Sequence, residues 1–181
     1  MCELLQFDTE TEAVMRQEWE YIRELPEDEN GFTNDSCGIS WENFCGSYIP
    51  RKIRFAEGRN LPEGFVRQVD FLLWDGGRIA GMFCVRPRLN DFLRTVTGGH
   101  IGYAIRPEFR GRGLATEGLR LALERLRDMT DDREAYLFCH KDNPASLRVM
   151  CKNGGYVHHG GDGNFAVRIP LCSTDKREPV C

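Results

Sequence analysis

Arg106, Arg110 and Arg112 surround two glycines, Gly111 and Gly113, in the run IRPEFRGRGLAT, where a strand-like stretch gives way to a helix-like one. A helix N-terminus presents unpaired backbone N–H groups and the positive end of its dipole, so phosphate is stabilised there. Glycine helps because no Cβ keeps a ligand away from the backbone. Three kinds of phosphate site compete for such a turn. A P-loop needs a lysine after its last glycine, and Leu114 stands there instead. A dinucleotide fingerprint needs another glycine where the chain has Thr116, and it expects its glycines directly after the strand. What remains is the pattern [RQ]xxGx[GA], met by Arg110, Gly113 and Ala115.

The elements that position this turn can be read from periodicity. VRQVDFLLW and RIAGMFCV are short, rich in β-branched and aromatic residues, and separated by Asp75-Gly76-Gly77, which predicts a hairpin. His100 to Ile105 predicts a third strand, ended by Pro107, after a connector (RPRLNDFLRTVTGG) with room for a turn of helix. Between Gly111 and Met129 the residues Ala115, Leu119, Ala122, Leu126 and Met129 recur at helical spacing, and Glu117, Arg120, Glu124 and Arg127 occupy the other face. Ala135 to Cys139 reads as a strand. Asn143 to Asn153 reads as a helix with Asn143 as N-cap, Pro144 at its first position and Gly154 past its end. Tyr156-Val157 and Phe165 to Leu171 supply closing strands, and STDKREPVC reads as a frayed tail.

Upstream, Val14, Trp19 and Ile22 predict one helix and Trp41, Phe44, Tyr48 and Ile49 another, which Pro50 should bend or interrupt; EDENG between them reads as a loop. The order predicts an α/β fold of the α+β kind: a mixed sheet with helices on its faces, as one domain over 1–171, with a helical region 1–65, a core 66–171 and a tail 172–181.

The chain has 181 residues, 41% hydrophobic and 29% charged, and no apolar run approaches a membrane span, so no membrane partner is expected. Acids near the start argue against a secretory leader and set cytoplasm as the expected location. Eight scattered cysteines without a CxxC pair read as free thiols, Cys139 and Cys151 as small buried residues, and the four histidines have no metal spacing, so no metal is expected. The net charge of −4 is divided: residues 1 to 50 hold twelve acids and two bases, leaving the rest mildly basic. The total disfavours nucleic acid, while the basic part suits a phosphorylated ligand.

With its neighbours, the phosphate turn resembles a known family. IGYAIRPEFRGRGLATEGLRLAL is similar to the central strand, pyrophosphate turn and long helix of the GNAT (N-acetyltransferase) superfamily, and NPASLRVMCKNGGY to its second helix motif. The resemblance runs over roughly residues 66 to 171 and is nearest to a branch of predicted acetyltransferases. It implies a GNAT fold, acetyl-CoA as co-substrate, and acetyl transfer to a small-molecule or peptide amine. It leaves room for a homodimer, and the N-terminal helices would wall the acceptor side.

Residue by residue, the resemblance implies that Arg110, Gly111, Arg112, Gly113, Leu114 and Ala115 hold the pyrophosphate, with Asn143 near the cofactor as well as capping its helix. The pantetheine arm would pair with the edge of strand 100–105 where it splays from 135–139, and a backbone N–H around Ala104 or Ile105 would receive the oxyanion. Many members protonate the departing thiolate with a tyrosine seven residues after the helix asparagine; here that residue is Met150. Ser146 is the first candidate to replace it, ahead of Tyr103, Tyr156 or water. His100 has the intrinsic pKa of a base, but alternation puts it on the face of Gly102 and Ala104, opposite Tyr103; His140 is a weaker candidate. The acids Glu24, Glu27, Asp28 and Glu29 would favour a cationic amine if they face the acceptor, and otherwise form a solvated surface. The missing tyrosine keeps open a non-catalytic acyl-CoA sensor or interaction module.

Overall fold

The computed structural model describes residues 2–161 and 163–171. Cys2–Leu5 forms strand β1 and Glu12–Glu24 helix α1; Asp28–Glu29 (β2) and Phe32–Thr33 (β3) make a small hairpin. Trp41–Asn43 (α2), a π-helical turn at Phe44–Tyr48 and Ile49–Glu57 (α3) follow one another without a break. Then come β4 (Val69–Asp75), β5 (Arg78–Val85), α4 (Asp91–Thr95), β6 (Ile101–Ile105), a 3₁₀ turn at Pro107–Phe109, α5 (Leu114–Arg127), β7 (Glu134–His140), α6 (Pro144–Lys152), β8 (Tyr156–Gly160) and β9 (Asn164–Pro170). The expected tail lies outside the described residues. No helix among the described residues is long and apolar enough to cross a membrane.

Two antiparallel sheets result, in the orders β1-β4-β5-β6 and β7-β9-β8. Phe83, Leu73, Ile101 and Ile105 on one face of the first sheet pack with Leu119, Ala122 and Leu126 of α5 and with Leu137 and Val167 of the second, so one core joins both sheets. The opposite face, with Leu72, Trp74, Met82, Cys84 and Ala104, is covered by Tyr21 and Ile22 of α1 and by Phe44, Tyr48 and Ile49. Lys52 and Asp70 fasten that cover through a 2.7 Å ion pair, and Asp70 is nearly inaccessible.

Three expectations about the N-terminal region change. Residues 1–65 are not only helical: β1 pairs with β4 and forms an edge of the first sheet. Four residues, of which Leu4 alone is buried, carry too little alternation to be read as a strand. The EDENG segment folds as the β2–β3 hairpin rather than a loop, its turn taken by Asn30 and Gly31 at positive φ. Pro50 does not interrupt its helix. The widened turn places it in the first turn of α3, where the missing N–H and the ring are tolerated. Downstream, Cys139 is buried as expected, but Cys151 is exposed on α6.

Candidate active site

Asn143 caps α6 as its position predicts, its Oδ1 accepting the Ser146 N–H at 3.0 Å. At α5, Gly111 and Gly113 have φ of 75° and 80°, a left-handed backbone that favours glycine. Chain neighbours aside, no atom of the described residues lies within 4 Å of where a Cβ would stand on either, so the turn is open. The first helical bonds run from the Thr116 and Glu117 N–H groups to Gly113 O. The N–H groups of Leu114 and Ala115 therefore precede the ladder, as first-turn donors do.

The arginines of this turn are engaged elsewhere. Arg106 pairs with Glu24 at 2.7 Å and Arg112 with Asp75 at 2.8 Å. Arg110 donates through Nε to Ile105 O and through Nη2 to Glu29 at 2.8 Å. Among the described residues these guanidinium groups are thus committed to other partners, while the first N–H groups of the turn are not. Of the four acids considered as an acceptor wall, Glu24 and Glu29 thus spend their charge on arginines, and Asp28 accepts the Gly31 N–H.

β6 and β7 meet at one point and then part. His100 N–H donates to Tyr136 O at 2.7 Å, and Tyr136 N–H donates to His100 Nδ1 at 2.9 Å. Beyond it the strands belong to different sheets, leaving an open edge on β6. Which groups face that edge follows from the ladder. Arg86 N–H donates to His100 O and Arg106 N–H to Ala80 O, so even-numbered residues of β6 bond to β5 and Ile101, Tyr103 and Ile105 point their N–H and C=O outward. Ala104, paired with Met82, is therefore not available as the oxyanion donor. Ile105 and Tyr103 are.

Tyr103 and Ser146 are brought together. The phenol lies 2.8 Å from Ser146 Oγ and 3.3 Å from Ser146 O, bridging β6 and the start of α6. The Tyr103 ring stacks on Phe83, and burial holds its phenol well above the usual range, so it stays protonated. Met150, where many relatives would have tyrosine, is buried in the core.

His100 is not placed as a base. It is fully buried, Nδ1 accepts the Tyr136 N–H, and Nε2 faces Asp132 Oδ2 at 3.0 Å. Burial lowers its pKa to about 4 against the opposing pull of Asp132. Alternation separated it from Tyr103 correctly, but only the packing shows that both nitrogens are occupied. His140 is exposed at the end of β7, its ring against Gly31 of the small hairpin. The sequence reading missed Arg86, whose side chain joins the β6 surface from a position with no motif around it, and Gly118. A Cβ on Gly118 would come 2.3 Å from Phe83 Cζ, so this glycine lets α5 sit directly on the ring that supports Tyr103.

A family model described as the acetyltransferase (GNAT) domain matches residues 4–155. The chain belongs to the GNAT acetyltransferases. Solved structures with this fold include a GNAT-family acetyltransferase from Streptococcus pneumoniae, at 13% identity over 93% of this chain and 97% of that one, with a TM-score of 0.58. A spermidine N-acetyltransferase from Vibrio cholerae in complex with CoA and spermine matches at 14% identity over 92% of each chain, with a TM-score of 0.56. The putative acetyltransferase yncA from Salmonella typhimurium, with its cofactor acetyl-CoA, matches at 14% identity over 99% of each chain, with a TM-score of 0.53. At these identities they show the fold alone. No curated protein matches the sequence. Membership of the GNAT acetyltransferases makes this chain an acetyl-transferring enzyme, not merely an acyl-CoA sensor.

Proposed function

We propose that the protein acetylates a primary amine, holding acetyl-CoA between the α5 turn and the open edge of β6. The observation that carries this reading is the coincidence of three features: an unobstructed glycine turn, an outward-facing β6 backbone, and the Tyr103–Ser146 contact across the mouth between them. The N–H groups at the head of α5 receive the pyrophosphate, aided by Arg110 and Arg112, which are each about half exposed. The backbone of Tyr103 and Ile105 pairs with the pantetheine amides as an added strand would.

Acetyl-CoA supplies the activated acyl group as a thioester. The amine arrives neutral, because an alkylammonium has no lone pair to attack with. An outward N–H of β6, that of Ile105 first, receives the negative charge that develops on the carbonyl oxygen. Ser146 gives a proton to the departing sulfur while Tyr103 donates to Ser146 Oγ and steadies the charge left there. The nitrogen loses one proton to water and Ser146 regains one, so the net change moves one proton from nitrogen to sulfur.

Gly113→Glu tests the cofactor half of this reading. It puts bulk and negative charge into the open turn and forces a left-handed backbone on a residue that resists it. Calorimetry with acetyl-CoA should show binding lost; wild-type affinity in that variant rejects the assignment.

A further inference from the structure

Arg86 follows β5 on the face that also carries Cys84 and Met82, and it is held at both ends. Its backbone N–H donates to His100 O at 2.8 Å and its Nη1 donates to Gly99 O at 3.2 Å. It is half-buried, yet it meets no carboxylate among the described residues. The other arginines around the mouth, at 106, 110 and 112, each have one. Beside it, Gly102 leaves a hollow on the β6 surface. A Cβ there would stand 3.9 Å from Arg86 Nη1 and 3.8 Å from Cδ2 of Phe32, so guanidinium and ring each lie at ordinary contact distance from the position a side chain would take.

The hollow sits one residue from Tyr103 and three from Ile105. At ~3.3 Å of rise per residue it lies roughly 3 to 10 Å from the outward N–H groups that would hold the reacting carbonyl. It opens on the face of the first sheet opposite α5, and the β2–β3 hairpin brings Phe32 over it. A guanidinium with one nitrogen already committed still offers a planar edge of two donors, which matches a carboxylate.

We infer that Arg86 is a specificity-determining residue that binds a carboxylate of the acceptor, so that the preferred substrate is a small amino acid whose carboxylate lies a few bonds from the amine. Phe32 flanks its carbon chain, and Gly102 keeps the space free. The inference rests on the acetyl-transfer reading above and refines its acceptor. It also fits the pairing of Glu24 and Glu29, two of the four acids considered for the acceptor side, with arginines.

The test compares paired acceptors that differ in the carboxylate alone: glycine with glycinamide, alanine with alaninamide, and β-alanine and 4-aminobutyrate with their carboxamides. Initial rates of thiol release are measured for both members of a pair at one pH, and each kcat/KM is referred to the concentration of neutral amine worked out from that acceptor's own pKa. The carboxylate member should show a kcat/KM on the order of tenfold or more above its amide, as expected for a charge-assisted bond. Arg86→Gln should abolish that preference and Arg86→Lys restore part of it, with acetyl-CoA affinity unchanged in both. Equal rates within every wild-type pair, or a preference that survives Arg86→Gln, overturns the inference. Calorimetric titration of each pair into the wild-type protein saturated with CoA keeps the two readings apart. If no amine releases thiol, acetyl transfer to these acceptors fails, and selective binding of the carboxylate members that is lost in Arg86→Gln still decides the role of Arg86. Should Arg86→Gln fail to fold, Arg86→Met carries the same comparison, with loss of the carboxylate preference expected and its survival overturning the inference.

Discussion

At the scale of single residues, the Tyr103–Ser146 contact carries the most consequence. The serine is at the head of α6 because Asn143 caps that helix, and the tyrosine reaches it from β6 because odd-numbered residues of that strand face α5 and α6. If the hydroxyls act on the departing sulfur, Ser146→Ala should lower kcat by roughly a hundredfold, the low end for a positioned acid, with little change in the KM for acetyl-CoA. Tyr103→Phe should lower kcat in the same direction by less, and the double variant by less than the product of the two, since both act through one contact. Steady-state kinetics checks all three; turnover unchanged in Ser146→Ala would hand the proton transfer to water. The sequence had singled out both residues, one from its place after the asparagine and one from its place on the strand. That they touch depends on how two sheets diverge, which no local pattern encodes.

At the scale of elements, two contacts hold that divergence in place. His100 stitches β6 to β7 at their meeting point, and it must be neutral to accept the Tyr136 N–H. Its folded pKa of about 4 lies below the 6.5 of an unhindered histidine, so the unfolded chain binds the extra proton in that window. Its contribution is complete above about pH 6.5, is lost as pH falls toward about 4, and amounts to about 3 kcal/mol at most by linkage. Denaturant titrations should find that His100→Gln flattens the dependence of stability on pH between these values; an unchanged slope means the imidazole titrates freely. The second contact is α5 on β5. Gly118→Ala must displace Phe83, with a cost of about 1 to 3 kcal/mol, partly offset by the better helix propensity of alanine. Because Tyr103 stacks on Phe83, kcat should fall in parallel with the melting temperature, and a variant that is destabilised but fully active would disconnect the packing from the chemistry.

Across the whole molecule, the acidic first fifty residues and the basic remainder partly neutralise each other. Glu29 and Arg110 meet although they are 81 residues apart, and Arg110 is also tied to Ile105 O at the end of β6. A pair of this kind, with one partner half exposed, is worth no more than about 1 kcal/mol, but it competes with phosphate for the same guanidinium. Glu29→Gln should therefore tighten acetyl-CoA binding a few-fold at low salt, and less at high salt, as followed by calorimetry. Weaker binding would mean that the carboxylate presents Arg110 rather than occupying it. The features legible in the order of residues are the local ones. The glycine turn before α5, the Asn143-Pro144 start of α6, the hairpin through Asp75 and the periodicity of α5 depend on residues within a turn or two of each other, so their types and spacing decide them. Tertiary structure alone decided which β6 amides stay unpaired, that His100 is sealed against Asp132 and Tyr136, that short β1 belongs to the sheet, and which carboxylate each arginine finds. Each of these is set by the register and approach of segments tens of residues apart, where burial and hydrogen bonding are shared between elements and belong to neither sequence alone.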